Sequence, residues 1–200
     1  MSAHDETDDG TDRDTVDISR YWEQVRPALQ RDTFTRLAVL VGQTSQGLVA
    51  PPAFAFGSTP EQADEAVERV LSGRKTATSS ALADYGAGTD EEVGLPRVGD
   101  LAILLDGRGH PRGVVRTTEV RVVAFDAVDE DHAWAEAEGD GRLTTWRRDR
   151  EFFARAGASG AAGGAGAVSA GELPVVLERF VLAHPRLVPA TDADRAPAPV

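Results

Sequence analysis

Two apolar, β-rich runs joined by a short turn constrain the fold of this chain more than any other feature. Residues 100–106 (DLAILLD) and 113–125 (GVVRTTEVRVVAF) have strand-forming composition, and two glycines and a proline lie in the turn between them. The two runs therefore predict an antiparallel hairpin. A third apolar run, at residues 174–184, predicts a last strand.

Helical patterns surround these strands. The best-marked helix follows Thr59, a candidate N-cap with Pro60 and the capping-box residue Gln62 after it, and Gly73 ends this helix. Because strands and helices do not alternate as βαβ units, the sequence predicts an α+β fold with a mostly antiparallel sheet, for which a small, partly closed barrel is suitable. The other predicted elements are helices over 18–30, 129–138 and 142–155, a helix or strand over 33–42, and a loop over 43–57.

Both ends of the chain are predicted to be disordered tails around one domain. Residues 1–17 carry seven acidic side chains and one arginine, half of the net charge of −12, and such composition is typical of disorder. Residues 189–200 are rich in proline and alanine. Residues 157–171 hold six glycines, which predicts a flexible surface insertion. The domain is therefore expected over residues 18–188.

Composition excludes several classes of protein. The chain has no cysteine, so disulfides, thiolate nucleophiles and sulfur-ligated metals are excluded. No apolar run approaches the ~20 residues of a membrane span, and no signal-peptide pattern is present, so a cytoplasmic location is expected. The four histidines are scattered and no glycine-rich phosphate loop is found, so neither a metal nor a cofactor is expected.

One lysine remains in a chain with 20 arginines, and its position suggests a function. Arginine cannot replace lysine where a neutral amine is needed, because the guanidinium stays protonated. The lysine, Lys75, lies on a predicted polar turn at 74–78. There, Thr78 could act as a nucleophile beside a base or a charge. A carboxylic acid could then move protons, and the candidates are Glu119, Glu136 and Glu138.

The run GRKTAT at residues 73–78 resembles the G-x-K-x-x-T signature of ASCH-domain proteins. Other features resemble the larger bacterial members and occur in the same order over residues 18–184. The resemblance implies a PUA-like fold, a small β-barrel with flanking helices and a cleft suited to RNA or to a nucleoside. The matching features are Tyr21-Trp22, Phe56-Gly57, Val98-Gly99-Asp100, Thr117-Thr118-Glu119-Val120, the run AEAEGD at 135–140, Trp146-Arg147, and the segment 173–180.

The resemblance implies three alternative activities. Short ASCH members are amidohydrolases that remove the acetyl group of N4-acetylcytidine with a Lys, a Thr and a Glu, which match Lys75, Thr78 and Glu138 here. Other members are ribonucleases or non-catalytic RNA-binding modules. The chain departs from the short members at Ser80, where they have an arginine, and by two extra residues before Glu136. Both Glu136 and Glu138 therefore stay open as the site glutamate.

The first expectation is thus a hydrolase that binds RNA or a modified nucleoside. We expect Trp146 to pack in the core. For Trp134, core packing is favoured over stacking on a base. In the alternative, a ribonuclease or RNA-binding module, Trp134 or Tyr85 would stack a base, and phosphates would be held by Arg112, Arg147, Arg148 and Arg150. The predicted substrate contacts are Arg74, Thr76, Ser80, Tyr85, Glu119, Trp134, Glu136 and Arg147.

Overall fold

Five strands form one sheet in the computed structural model, which describes residues 10–29, 49–85, 94–150 and 169–185. The sheet order is β1-β3-β4-β5-β2, and every neighbouring pair is antiparallel except β1 with β3. The predicted hairpin is confirmed as β3 and β4, and the predicted last strand is β5. The strands are β1 (Ala53–Phe54), β2 (Ala77–Ala81), β3 (Leu101–Leu105), β4 (Pro111–Ala124) and β5 (Pro174–His184).

The helices are α1 (Gly10–Leu29), α2 (Pro60–Leu71), α3 (Glu130–Glu136) and α4, which is helical over residues 143–150. α2 begins as its sequence predicts, because the Thr59 hydroxyl accepts a hydrogen bond from the Gln62 backbone N–H at 3.3 Å. α1 begins eight residues before its predicted start, so residues 10–17 are helical and not an unstructured tail. Among the described residues, no helix is long and apolar enough to cross a membrane.

Several predictions fall outside the described residues. They concern the element at 33–42, residues 1–9 of the acidic tail, residues 151–155 of the predicted helix at 142–155, most of the insertion at 157–171, and the tail at 189–200.

Alternating side chains of β5 divide the sheet into two faces. Phe180 lies on the face that α2 covers, where it packs with Phe56 and with the fully buried Val67 and Val70. We call this the α2 face. Leu177 lies on the opposite face, where it packs with Trp146 of α4. We call this the α3 face, and α1 covers its other end with Trp22, Val25 and Leu29, against Ile103 of β3 and Val114 of β4.

The sheet is open, which corrects the expectation of a partly closed barrel. In the described part of the chain, β1 and β2 are its two edges, and β1 has only two residues. At the β2 edge, backbone groups that a closing strand would have to bond are hydrogen-bonded to residues of α3 and α4. Arg150 Nη1 donates to the Ser79 carbonyl at 3.4 Å, and the Thr76 N–H, just before β2, donates to the Ala135 carbonyl at 2.8 Å.

The turn between β3 and β4 is fastened to the start of α2. The Gly107 backbone N–H donates to Asp64 Oδ1 at 2.8 Å, and the Asp106 carboxylate accepts two backbone hydrogen bonds within the turn. A β-carbon at Gly107 would overlap the carbonyl group of Pro60. Because the β-carbon is fixed to the backbone of the turn and the carbonyl group belongs to the backbone of α2, neither can move away at low cost.

We therefore expect Gly107→Ala to lower the free energy of unfolding by about 2 kcal/mol, because the new methyl group separates the hairpin from α2. Urea denaturation of both proteins measures the change. Gly94→Ala is the matched control, since a β-carbon there meets no atom within 4 Å. Equal stability of the two variants would show that the contact of the turn with α2 is not rigid.

Candidate functional site

Lys75 lies at the junction between α2 and β2. Gly73 adopts a φ of 73°, which reverses the chain after α2, and the Lys75 N–H then donates to the Arg69 carbonyl at 2.9 Å. The side chain points into the protein and the residue is only 1% exposed. Its Nζ atom lies 4.7 Å from the centre of the Phe56 ring, so the ammonium faces an aromatic surface on one side.

The end of α3 supplies the polar partners of this ammonium. Lys75 Nζ donates to Glu138 Oε1 at 3.0 Å and to the Glu136 carbonyl oxygen at 3.1 Å. Ala137, between these glutamates, has a left-handed backbone with φ 54°, uncommon for a residue with a side chain. This conformation ends α3 abruptly. Lys75 therefore joins the start of β2 to the end of α3.

Arg150 completes a network of four charged side chains. Its Nη2 atom lies 2.6 Å from Glu136 Oε2 and 2.8 Å from Glu138 Oε2, so one guanidinium bridges the two carboxylates. With both cations protonated and both glutamates ionised, the formal charges of Lys75, Arg150, Glu136 and Glu138 cancel. This pairing offsets the free-energy cost of removing the four charges from water.

The second oxygen of the Glu136 carboxylate has its own partners. Trp146 Nε1 donates to Glu136 Oε1 at 2.9 Å, and His132 Nε2 lies 3.2 Å from the same oxygen. Glu136 and His132 are both fully buried. The sequence assigned His132 a structural or surface role, and the structure places it in the core beside Glu136.

The pKa values of the buried pair move away from their ordinary positions. Burial is the largest influence on Glu136 and by itself raises its pKa. The close contact with His132 and the charges of Arg150 and Lys75 together outweigh it, so the pKa falls from 4.5 to about 2. Burial lowers the pKa of Lys75, and the charges of Glu138 and Glu136 oppose that effect without cancelling it.

Glu138 is the most exposed member of this network, ahead of Arg150, whose side chain is 17% exposed. Its side chain is 41% exposed, whereas the side chains of Lys75 and Glu136 have no exposed surface. A dissolved molecule would therefore meet the Glu138 carboxylate first. Glu119, the third candidate, lies on β4, where it is exposed and its Oε1 is 3.0 Å from Arg121 Nε, and it makes no ion pair with the four-charge network.

Thr78 lies inside β2 and not on the predicted turn, which is limited to residues 74–76. It pairs with Glu178 of β5, and Ser80 pairs with Val176. By strand alternation, Thr78 and Ser80 point to the α2 face, away from Ser79. Among the described contacts, no hydrogen bond joins Thr78 to Lys75. The structure thus brings Lys75 and Glu138 together directly, whereas Thr78 is linked to them only by lying three residues after Lys75 in the chain.

A second polar cluster lies next to Thr78 on the α2 face. Its central residue is Glu178, the partner of Thr78 across the β2–β5 pair, and Glu178 was not among the predicted site residues. Ser80 Oγ and Tyr85 Oη share a hydrogen bond of 2.7 Å, and Tyr85 also hydrogen-bonds the Glu178 carboxyl. Thr117 Oγ1 lies 3.3 Å from Glu178 Oε2. A signal was present in the sequence, because Glu178 lies on the same face of an apolar strand as the buried Val176 and Phe180.

The aromatic and basic side chains that were predicted to bind RNA have varied positions. Trp146 is buried as expected, but Trp134 is 71% exposed, so its expected core role is wrong. Trp134 lies on the exposed side of α3, whereas His132, Ala133 and Glu136 of the same helix are buried. Three of the arginines are engaged within the protein: Arg147 donates to the Asp126 carbonyl, Arg112 pairs with Glu68 and Asp106, and Arg150 pairs with Glu136 and Glu138.

Two other arginines are exposed. The Arg148 side chain is 73% exposed and lies 2.9 Å from Asp149, and Arg74 donates to Ser72 Oγ at 3.2 Å. The Thr76 backbone joins β2 to its neighbours, since its carbonyl accepts from Phe180 at 2.9 Å. Within the described ranges, no group of three or more His, Cys, Asp or Glu side chains could hold a metal ion.

The lowered pKa of Glu136 predicts the pH dependence of stability. A carboxyl group with a folded pKa of about 2 and an ordinary value of 4.5 contributes its full stabilisation above pH 4.5, and this is lost as the pH falls towards 2. We expect Glu136→Gln to lower the free energy of unfolding by about 3 kcal/mol at neutral pH, because Lys75 and Arg150 lose a buried partner.

Urea titrations of wild type and variant between neutral pH and about pH 2 measure this difference, which should shrink towards zero at the acidic end. Glu65→Gln removes an exposed ion pair with Arg69 and serves as the control, with an expected cost of at most ~1 kcal/mol. A difference that stays constant across the pH range would contradict the assignment.

Comparisons with known proteins agree with this architecture. The family model of the ASCH domain matches residues 52–183. The crystal structure of an ASCH domain from Lactobacillus crispatus JV V101 is similar with a TM-score of 0.60 and 22% identity, over 86% of this chain and 94% of that one. A crystal structure of a protein from Enterococcus faecalis V583 is similar with a TM-score of 0.60 and 23% identity, over 84% and 92% of the two chains.

A search of curated proteins finds no match. The family model covers well over half of the chain, including the Lys75 turn, the end of α3 and the strand that carries Glu178. The two solved structures share its fold at low sequence identity. The chain therefore belongs to the ASCH domain family.

Proposed function

We propose that the site around Lys75, Thr78 and Glu138 binds RNA or a cytidine-like nucleoside and hydrolyses an amide, as in removal of the acetyl group of N4-acetylcytidine. The observation that carries this proposal is the 3.0 Å pair between the buried Lys75 ammonium and the partly exposed Glu138 carboxylate. Such a carboxylate is held in place from inside the protein and is open to a ligand from outside. That is the arrangement that a proton-transferring group needs.

The proposed reaction uses these residues in distinct roles. The Thr78 hydroxyl, or a water molecule beside it, attacks the acyl carbon of the substrate, and Glu138 accepts the proton that the attacking oxygen loses. The bond between the acyl carbon and nitrogen then breaks, and Glu138 returns the proton to the leaving amine. If Thr78 attacks, water releases the acyl group in a second, equivalent step. The products are acetate and the free amine.

Lys75 acts through Glu138 in this scheme, since its side chain is fully enclosed. It fixes one carboxylate oxygen of Glu138, and Arg150 fixes the other. This double attachment restricts the rotation of a side chain that is otherwise flexible, so the carboxylate stays aimed at one position. Ser80, Tyr85, Thr76 and Arg74 remain proposed substrate contacts at and around β2.

We expect Glu138→Gln and Lys75→Ala each to reduce turnover of N4-acetylcytidine by roughly 10²–10⁴-fold, because each removes part of the proton-transfer machinery. Mass spectrometry of released cytidine measures the rate. Glu65→Gln, which changes an exposed pair on α2, is the control with unchanged activity. Circular dichroism establishes that each variant is folded, and Glu138→Gln is the decisive one because its side chain is partly exposed.

If the wild type hydrolyses N4-acetylcytidine and both Glu138→Gln and Lys75→Ala keep its rate, the proposed roles of Lys75 and Glu138 are refuted. Absence of turnover in the wild type would refute the amidohydrolase activity and favour the second candidate function, a ribonuclease or a non-catalytic RNA-binding module.

The exposed ring of Trp134 is the specific observation that favours this second candidate. The ring is 71% exposed, and a β-carbon at Gly141 would lie 2.9 Å from it, so the absence of a side chain at Gly141 makes room for the ring. An exposed aromatic ring that packs against a glycine is a suitable platform for a base. The engaged arginines and the net charge of −12 argue against broad phosphate binding.

In an RNA module, Trp134→Ala should weaken binding of a single-stranded RNA by about 1–3 kcal/mol, because one base loses its stacking partner. Fluorescence anisotropy with a labelled oligonucleotide measures the affinity, and repeating it over a salt series shows how many phosphates are contacted. We expect a shallow salt dependence. A steep dependence with no effect of Trp134→Ala would show that phosphates, and not a stacked base, carry the binding.

A further inference from the structure

The polar cluster around Glu178 differs in kind from the network around Lys75. Glu178 is half-buried on the α2 face, between Thr117 of β4 and the hydroxyl of Tyr85. Ser80 continues the chain of hydroxyl groups by sharing a hydrogen bond with Tyr85. Among the described residues, no Lys, Arg or His side chain forms an ion pair with Glu178. Hydroxyl groups, not cations, therefore surround this carboxyl.

The cluster lies beside the proposed nucleophile. Thr78 and Glu178 are direct partners across the β2–β5 pair, so their side chains are on the same face, with β-carbons roughly 4.5–5.5 Å apart. A ligand in contact with the Thr78 hydroxyl is therefore within reach of the Glu178 carboxyl. Thr117 and Tyr85 take part of the acceptor capacity of this carboxyl, and its neutral form keeps an O–H donor and a further acceptor position for a ligand.

The protonation of Glu178 decides what kind of ligand it can bind. Burial raises its pKa, the hydrogen bond from Thr117 acts in the opposite direction, and the nearby charge of Asp100 raises the pKa further. A protonated carboxyl offers a donor and an acceptor side by side, whereas an ionised one offers acceptors only. Cytosine and its N4-acylated form present the complementary pair, a ring nitrogen acceptor beside an N–H donor.

We propose that Glu178, held by Tyr85 and Thr117 and facing Thr78, is a ligand-recognition residue that pairs through its neutral carboxyl with a base edge carrying an acceptor beside a donor. This inference rests on the proposed function, because it takes Thr78 as part of the same cleft. It assigns recognition to the α2 face of β2 and leaves proton transfer to Glu138 at the end of α3.

The titratable neighbours of Glu178 are few among the described residues. Tyr85 faces it from the 3-10 helix Leu82–Tyr85, and Asp100 is near it from the loop before β3. β2 and β4 contribute only the hydroxyl groups of Thr78, Ser80 and Thr117. Burial raises the pKa of Tyr85 above its ordinary value of 10, so Tyr85 stays neutral in the range of interest. Asp100 is an acid and adds no positive charge.

Isothermal titration with cytidine, the product of the proposed reaction, tests the inference at about pH 5.5 and about pH 8.5. The wild type should bind more tightly at the lower pH, because protonation of Glu178 supplies the donor that the ring nitrogen of the base needs. Glu178→Gln carries a permanent donor beside an acceptor, so it should bind at both pH values with an affinity that no longer depends on pH. Glu178→Leu should weaken binding at least ~10-fold, and Glu65→Gln should match the wild type.

The outcomes separate the inference from the proposed function. Binding by Glu178→Gln as weak as that of Glu178→Leu, or wild-type affinity in both variants, would overturn the role of Glu178 while the hydrolase stands. Turnover of N4-acetylcytidine by the wild type without any binding of cytidine would do the same. Neither turnover nor binding in the wild type would overturn both. If Glu178→Leu fails to fold, the pH profiles of the wild type and of Glu178→Gln still decide.

Discussion

Burial of a single ammonium group is the interaction on which the arrangement of this site depends. A charge without solvent needs partners, and Lys75 obtains them from the last residue of α3 and from Glu138 just beyond it. The second glutamate, Glu136, then requires its own cation, which Arg150 supplies from α4. These ion pairs hold α3, α4 and the start of β2 together, at the open β2 edge of the sheet.

Two different chemical environments lie next to the edge strand β2. At the end of α3, charges of both signs are paired, and Glu138 is the most exposed of the four side chains. On the α2 face, hydroxyl groups surround Glu178, and no described cation pairs with it. Burial raises the pKa of Glu178, whereas Glu138 is held by two cations. That difference is the usual basis for dividing the work of a site between recognition and proton transfer.

Local sequence signals predicted much of the fold, because they act over a few residues. The cap at Thr59, the turn at Gly107 and the strand around Leu104 are of this kind, and all three are confirmed. Lys75 stood out by composition alone, whereas the pairing of Arg150 with both glutamates depends on how α4 packs on the sheet, which no local pattern encodes. The open sheet and the exposure of Trp134 are tertiary features for the same reason.

The enclosure of the lone lysine has a consequence for the surface of the protein. With Lys75 only 1% exposed, the folded domain presents no lysine side chain to reagents or to enzymes that modify amines. Acylation of that side chain requires a local opening in which the ammonium leaves Glu138 and loses its proton. The rate of such labelling would therefore report the free energy of opening at this one site. The single lysine of the sequence can therefore be used as a chemical probe of local opening at the candidate site.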